Sequence, residues 1–144
     1  MPDDPNAAAG LEPVLTVEVT LGAAVDQGTT RVGMRRVIPV LRGTVTGAFE
    51  AEVLPGGSDW QRVRPDGTAE IDARYCAVTP TGELISMQVR GLRRAAEPGE
   101  RPYFRATVDF ETSSADLADF QNHLYVATGE RTDDTVRHIV YRVT

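Results

Sequence analysis

Apolar and polar residues alternate along most of this chain, in short segments separated by residues typical of turns. In the segment 102–111, Phe104, Ala106, Val108 and Phe110 occupy every second position, with polar side chains between most of them. A period of two places successive side chains on opposite faces, which is typical of a strand with one buried face. On this pattern we predict nine strands, at residues 14–20, 34–41, 43–54, 59–64, 68–79, 83–92, 102–111, 123–130 and 136–143.

The segments between the predicted strands are rich in proline, glycine and aspartate, as in Pro65-Asp66-Gly67. Such residues favour tight reversals between neighbouring strands. Their regular spacing indicates an all-β antiparallel domain, which could be a meander, a sandwich or a barrel. We interpret residues 22–30 as a turn region, residues 1–12 as a flexible tail and residues 13–144 as a single domain.

One short helix is predicted at 114–121. Ser113 or Ser114 offers a hydroxyl for the N-cap, with Asp116 shortly after it. Leu117, Phe120 and Leu124 are spaced to form an apolar side. We expect at most two helical turns.

The amino-acid composition excludes several classes of binding and catalytic site. The 144 residues carry a formal net charge of −6, so the chain lacks the positive field that nucleic-acid binding requires. All 15 basic residues are arginine, which leaves no lysine for a Schiff base or a P-loop. The single Cys76 excludes an internal disulfide and a thiolate zinc site. We therefore expect no cofactor, no metal and no nucleic-acid partner.

The chain also lacks the sequence signals of membrane insertion and secretion. Its apolar runs are far shorter than the ~20 residues of a membrane-spanning helix. Its first residues are acidic and proline-rich, whereas a secretory signal begins with basic residues and continues into an apolar stretch. We expect a cytoplasmic protein without a membrane partner.

Charged side chains share one face of two predicted strands, and these are the candidate catalytic residues. Asp72 and Arg74 alternate with small apolar residues in one strand, and Arg105 and Glu111 alternate with phenylalanines in another. If these faces line a lumen, Asp72 can act as acid or base, while the arginines stabilise negative charge on a carbonyl substrate. The alternative is a solvated outer face, in which Arg105 forms a structural ion pair with Asp72 or Glu111.

Five further residues are candidates for ligand binding. The turn at 55–57 would hold Asp59 and Trp60 near the rim of a barrel, where an indole can stack on a flat ligand or simply pack. Tyr103 shares the polar face of its strand, and the Asn122 amide could orient a ligand carbonyl. His123 could serve as a general base; His138 is the alternative histidine.

Several short motifs follow one another along the chain, and their combined order indicates a particular protein family more specifically than any single motif does. They include VLPGGSDW at 53–60, RPDG at 64–67, IDARY at 71–75, TGELI at 81–85 and VRGLR at 89–93. In this order, over residues 14 to 143, the chain resembles the bacterial and fungal family catalogued as domain of unknown function 3237, also called UPF0311. The resemblance implies a single antiparallel β-barrel of lipocalin-like outline and a largely uncharacterised function. Because DARY belongs to the family signature, it also favours a lumen role for Asp72 and Arg74.

Two functions remain open for such a barrel. One is a small-molecule enzyme that uses acid–base chemistry without a cofactor, as an isomerase, cyclase or lyase acting on a small oxygenated aromatic or polyketide-like substrate. The alternative is a non-catalytic barrel that binds a ligand or serves as an assembly module. The direction in which the face with Asp72 and Arg74 points distinguishes the two functions, because a catalyst needs ionisable groups in its lumen.

The last predicted strand, 136–143, carries apolar residues on both faces. An exposed strand of this kind favours pairing with a second copy, so we predict a homodimer. The alternative is an inner strand covered by the helix at 114–121.

Overall fold

The computed structural model describes residues 4–144, and its regular secondary structure is almost entirely β-strand. The ten strands are β1 Leu11–Leu21, β2 Val25–Thr30, β3 Gly33–Gly47, β4 Ala51–Val53, β5 Gly57–Val63, β6 Ala69–Val78, β7 Leu84–Arg94, β8 Tyr103–Thr112, β9 Tyr125–Thr132 and β10 Thr135–Val143. One 3₁₀ helix, η1, spans Ala118–Asn122.

The strands close into an antiparallel barrel with eight positions. Strands β6 to β10 follow one another as hairpin neighbours, and β10 then pairs with β1. Closure comes from β3, whose C-terminal half pairs with β1 while β4 and β5 together fill the position between β3 and β6. Strand β2 lies outside the closed ring, paired with the N-terminal half of β3. The predicted single antiparallel barrel is confirmed.

Two strand predictions were wrong in the first half of the chain. Residues 25–30, interpreted as part of a turn, form β2, and the separate strands predicted at 34–41 and 43–54 are one long strand, β3, followed by the short β4. Gly43 permits this continuity because β1 passes very close to it: a Cβ at this position would lie 3.0 Å from Val19 Cα. A glycine between two apolar segments therefore marked a close backbone approach rather than a break.

The predicted α-helix at 114–121 is a single 3₁₀ segment that begins later. Its N-cap is Leu117, without a side-chain cap, so neither serine has the predicted capping role. Leu117 and Phe120 are buried as expected, but Leu124 is 74% exposed. The short segment is held by its apolar contacts rather than by capping.

An aromatic cluster closes one end of the barrel. Phe120 packs edge-on against Phe49 and Phe110, with ring centroids 5.1 Å apart in both pairs, and stacks on Tyr125 at 5.6 Å. Tyr125 and Phe110 also meet edge-on at 4.9 Å. These rings come from the start of β9, the end of β8 and the loop after β3. The helix thus seals this end, which we call the base.

The alanines of β6 face the interior, where larger side chains from other strands fill the space. Ala69, Ala73 and Ala77 are at most 6% exposed. Phe104 projects from β8, two strands along the ring from β6, and packs over β9, where a Cβ at Gly129 would lie 2.5 Å from its ring. Small residues on one wall therefore accommodate large ones on another.

The first and last strands of the described chain lie side by side in the sheet. β1 begins at Leu11, inside the predicted tail, and Gly10 exchanges backbone hydrogen bonds with Thr144. Residues 1–3 of the predicted tail lie outside the described residues. Strand β10 is not an edge, because it pairs with β1 on one side and β9 on the other. The edge argument for a homodimer was therefore wrong, and association itself stays a prediction.

Among residues 4–144, no helix is long and apolar enough to cross a membrane.

Candidate functional site

A small cavity opens at the end of the barrel opposite the base. Its own volume is about 30 Å³, and the atom-free space reaches about 410 Å³ when the open solvent at its mouth is included. Its walls are largely apolar, from residues such as Val19, Ile71 and Phe104. Six polar side chains also line it: Asp59, Gln61, Tyr75, Arg93, Arg131 and His138. An apolar pocket with a few convergent polar groups is the usual form of a small-molecule site.

Asp59 is the carboxylate of this cavity and is only 7% exposed. Its Oδ1 accepts a hydrogen bond from the Asp72 backbone N–H at 3.0 Å, and its Oδ2 accepts one from Gln61 Nε2 at 2.7 Å. The preceding turn places it there. Gly56 has a φ of +106°, and a Cβ at Gly57 would lie 2.7 Å from Tyr75 Cβ, so glycine lets β5 start tightly against β6.

Arg36 fixes the orientation of the Gln61 amide. Its Nε and Nη2 donate to Gln61 Oε1 at 3.1 and 2.6 Å. Because arginine can only donate, the amide oxygen must face Arg36, and the amide nitrogen is left to donate to Asp59. Gln61 is 2% exposed and belongs to the lumen face of β5, directly opposite Arg36 of β3. The three side chains form a continuous hydrogen-bonded relay.

Burial raises the pKa of Asp59 above its ordinary value, because desolvation disfavours the ionised carboxylate. The hydrogen bonds from Gln61 and the Asp72 backbone, together with the charge of Arg93, oppose this effect, and the Asp72 carboxylate adds to it. Desolvation is the largest of these effects, so the pKa moves towards the range useful for proton transfer at neutral pH.

Titration of Asp59 should appear in the pH dependence of stability. The folded chain holds this proton more tightly than the unfolded chain, so ionisation costs the folded state free energy. Protonated Asp59 contributes its full stabilisation below the pKa of the unfolded chain, about 3.8. This stabilisation is lost as the pH rises through the pKa of the folded chain. We expect the free energy of unfolding of the wild type, minus that of Asp59→Asn, to fall with rising pH in urea denaturation. A rise would mean that the hydrogen bonds outweigh burial.

His138 faces the same cavity and is 5% exposed. Its Nδ1 lies 3.1 Å from the Thr128 carbonyl oxygen, which can only accept, so Nδ1 carries the proton and Nε2 keeps its lone pair. Burial lowers its pKa, while the Thr128 hydrogen bond opposes that shift. The ring also meets Phe104 edge-on at 5.3 Å. His138 is therefore a neutral acceptor in a fixed orientation.

Tyr75 contributes a phenol to the cavity wall. Burial, with a smaller effect from the Asp59 charge, raises its pKa. The hydroxyl therefore stays protonated and can donate a hydrogen bond to a ligand oxygen.

The four predicted catalytic residues lie on the outer surface. Asp72, Arg74, Arg105 and Glu111 are all exposed, so their placement in the lumen was wrong. The alternation itself was correct, and the alternative of a solvated outer face holds for these charged residues: the alanines and Tyr75 of β6 and the phenylalanines of β8 point inward. Arg105 also lacks the predicted pairing, because within the described chain it forms no ion pair with Asp72 or Glu111.

Of the five predicted ligand-binding residues, only Asp59 lies in the lumen. Trp60 is 50% exposed, beneath the Arg35 guanidinium. Tyr103 is 44% exposed, with the guanidinium of Arg94 4.5 Å from its ring centroid.

Asn122 and His123 lie on the surface beside the base, far from the cavity. The Nδ1 of His123 is 3.2 Å from the Asp119 carbonyl oxygen, and Asn122 Nδ2 is 3.5 Å from a carboxylate oxygen of the same residue. These contacts hold the end of η1, so they account for both side chains without a ligand.

The alternation of inward-facing positions also predicts the other polar residues of the lumen. Inward positions on β7 run through Met87, Val89 and Gly91, and the next residue in phase is Arg93. On β9 the same step leads from Gly129 to Arg131. Where the series of inward-facing, buried residues on a strand ends in a charged residue, the strand reaches the open mouth of the barrel. Gln61 follows the same rule relative to Asp59.

Comparison with known proteins supports this fold over the whole chain. The sequence profile described as "Protein of unknown function (DUF3237)" matches residues 9–143. A UPF0311 protein from Bradyrhizobium diazoefficiens is 32% identical over 142 residues, covering 90% of this chain and 93% of that protein.

Two solved structures are similar. A protein from Acinetobacter baumannii, described as beta-barrel like, is 30% identical with a TM-score of 0.90 and covers 100% of both chains. A protein from Penicillium herquei, described as an enzyme, is 21% identical with a TM-score of 0.74 and covers 99% of both chains, which shows a shared fold alone. With profile and relatives spanning nearly all of its length, this chain belongs to the DUF3237 family, for which its ordered motifs were the first indication.

Proposed function

We propose that the barrel binds a small oxygenated organic molecule, aromatic or polyketide-like, in its lumen and catalyses a cofactor-free proton transfer with Asp59 as the acid–base group. The accessible reactions are isomerisation, cyclisation and elimination. The observation that carries this proposal is a buried carboxylate with a raised pKa inside a largely apolar cavity. Such perturbed groups are concentrated at functional sites.

The neighbours of Asp59 suit proton chemistry at a carbon next to a carbonyl. Ionised Asp59 would take the proton from that carbon, and the electron pair of the broken bond would move onto the carbonyl oxygen. The Tyr75 hydroxyl and the positive charge of Arg93 would stabilise the oxygen. Asp59 would then return its proton to another carbon for isomerisation, or to the leaving group for elimination.

Two features help Asp59 in this role. The Arg36–Gln61 relay holds the carboxylate in one orientation, which is the preorganisation that proton transfer needs. The barrel from Penicillium herquei is described as an enzyme, so the fold can host catalysis. The identity of 21% is too low to transfer a reaction to this chain.

Deuterium exchange provides a test that does not require the natural substrate. Aryl ketones, including hydroxyacetophenones, would be incubated with the protein in D₂O, and loss of the protons next to the carbonyl would be followed by NMR. We expect the wild type to accelerate exchange and Asp59→Asn to lower the rate about 10²- to 10⁴-fold.

Asp72→Asn is the matched control, since Asp72 lies on the outer surface of the neighbouring strand. Its exchange rate should equal that of the wild type. Thermal melts of both variants separate loss of chemistry from loss of fold. Equal rates for Asp59→Asn and the wild type would contradict the proposed role of Asp59.

A non-catalytic binding barrel is the second candidate, and one observation favours it. Both Asp59 oxygens already accept hydrogen bonds within the protein, as a purely structural carboxylate would. In that case aryl ketones would bind, with shifts in the NMR signals of lumen residues, but no exchange above the buffer rate would occur.

A further inference from the structure

Three arginines lie at the mouth of the lumen. Arg36, Arg93 and Arg131 come from β3, β7 and β9, and each belongs to the inward face of its strand. Asp59 is the one carboxylate that lines this cavity within residues 4–144. The three positive charges therefore face one carboxylate in the cavity lining. Three exposed carboxylates lie nearby: Asp26 is the strand partner of Arg36, and Asp133 and Asp134 follow Arg131 in the sequence.

The guanidinium groups are close enough to repel one another. Burial lowers the pKa of Arg93, and the charges of Arg131 and Arg36 lower it further, with Asp59 opposing them. Like charges brought together in a partly buried site cost folding free energy. An arrangement of this kind is stabilised when an anion lies between the groups.

Within residues 4–144, Arg36 and Arg131 donate hydrogen bonds only to neutral acceptors, and the Arg93 guanidinium makes no side-chain hydrogen bond. Arg36 donates to Gln61, and Arg131 Nε donates to the Asp133 carbonyl oxygen at 3.2 Å. The carboxylates of Asp133 and Asp134 adjoin Arg131 in the β9–β10 turn but form no ion pair with it in the described chain. Arg93 has no ion pair there either, and its side chain lines the cavity.

We propose that these three arginines form an anion-binding site, and that the ligand of this barrel is a small organic carboxylate whose apolar part lies deeper in the lumen. A guanidinium binds a carboxylate through two parallel hydrogen bonds, and aromatic walls such as Phe104 suit a flat ring. The inference deepens the proposed function, because it rests on the lumen being the ligand site and adds the chemical class of the ligand.

Benzoate is a suitable probe, with benzamide as its uncharged counterpart of similar shape. Both would be titrated into the wild type, and binding would be followed by NMR shifts of lumen residues. We expect benzoate to bind at least about tenfold more tightly than benzamide, and its affinity to fall with added salt. Arg93→Gln should weaken benzoate binding about tenfold or more and benzamide binding by a much smaller factor, because benzamide offers Arg93 a neutral carbonyl oxygen instead of a charged carboxylate.

Arg90→Gln is the matched control, on the same strand as Arg93 but exposed on the outer surface. It should leave benzoate affinity unaltered. Arg93→Gln should also melt no lower than the wild type in the absence of ligand, because it removes one of three repelling charges. Equal affinities for benzoate and benzamide, equal losses in Arg93→Gln and Arg90→Gln, or a clearly lowered melting temperature of Arg93→Gln would overturn the anion site.

Failure of this inference is distinct from failure of the proposed function. Carboxylate binding without any Asp59-dependent exchange would leave the anion site standing and reject the catalytic role. Asp59-dependent exchange of neutral ketones, without a preference for benzoate, would reject the anion site alone. A competition experiment with inorganic phosphate tests the chemical class of the anion. Displacement of benzoate by millimolar phosphate at constant ionic strength would overturn the assignment to an organic carboxylate.

Discussion

Replacing Phe120 with alanine is expected to lower the free energy of unfolding by about 3–5 kcal/mol, the largest effect of any single change considered for this chain. Phe120 is 8% exposed and contacts three other aromatic rings at the base. Truncation would leave a cavity and remove the aromatic contacts, each of which adds to the hydrophobic term. The helix that carries it has no side-chain cap to hold it in place.

Equilibrium urea denaturation measures this change. Leu124→Ala is the matched control, because Leu124 lies just after the same helix but is 74% exposed. Its effect should stay within about 0.5 kcal/mol. Similar losses in the two variants would mean that the helix, rather than the Phe120 ring, is what seals the base.

Replacing Gln61 with leucine is expected to cost about 2–4 kcal/mol at neutral pH. Leucine has nearly the same volume, so the loss comes from hydrogen bonding rather than from a cavity. Arg36 would lose the acceptor of two hydrogen bonds, and Asp59 Oδ2 would lose its donor inside the barrel. Buried polar groups without partners are costly, and charged ones more so.

The effect should depend on pH in a definite direction. Gln61 stabilises the ionised form of Asp59, so its removal raises the pKa of that carboxyl further. The cost of Gln61→Leu should therefore be smaller below pH 3.8, where Asp59 is protonated in both the folded and the unfolded chain, than at pH 7.

Gln88→Leu provides the control on the outer surface, where Gln88 Nε2 donates to Asp72 Oδ1 at 3.1 Å. The same chemical change there should alter stability by no more than about 0.5 kcal/mol. A loss as large as that of Gln61→Leu would contradict the prediction, because burial would then add nothing to the cost of losing the amide.

The amino-acid pattern by itself determined the class of this fold. Alternation with a period of two, broken by proline and glycine turns, identified seven of the ten strands to within about three residues. It also separated the two faces of β6 and β8 correctly. These are local properties, because the direction of a side chain along a strand depends on nearest neighbours alone.

Only the tertiary structure decided which face is inside. Asp59 and Ala73 are paired across β5 and β6 and therefore share a face, so closure of the barrel brings Asp59 inward and places Asp72 on the outer surface. A single strand cannot reveal this, since a charged face can border either solvent or a polar lumen. The deciding quantity is the packing of both faces against distant strands, which depends on register and closure.

Closure also decided where the polar groups of the site meet. The polar groups of the site lie on five different strands, and only the last two are close in sequence: Arg36, Gln61, Arg93, Arg131 and His138. Their approach follows from the order in which the strands join and from the tilt that brings the ends of five strands to one mouth. The predicted strands contained Arg36, Gln61 and His138 but ended one residue before Arg93 and Arg131. The arrangement proposed to bind an anion forms only once the ring is closed.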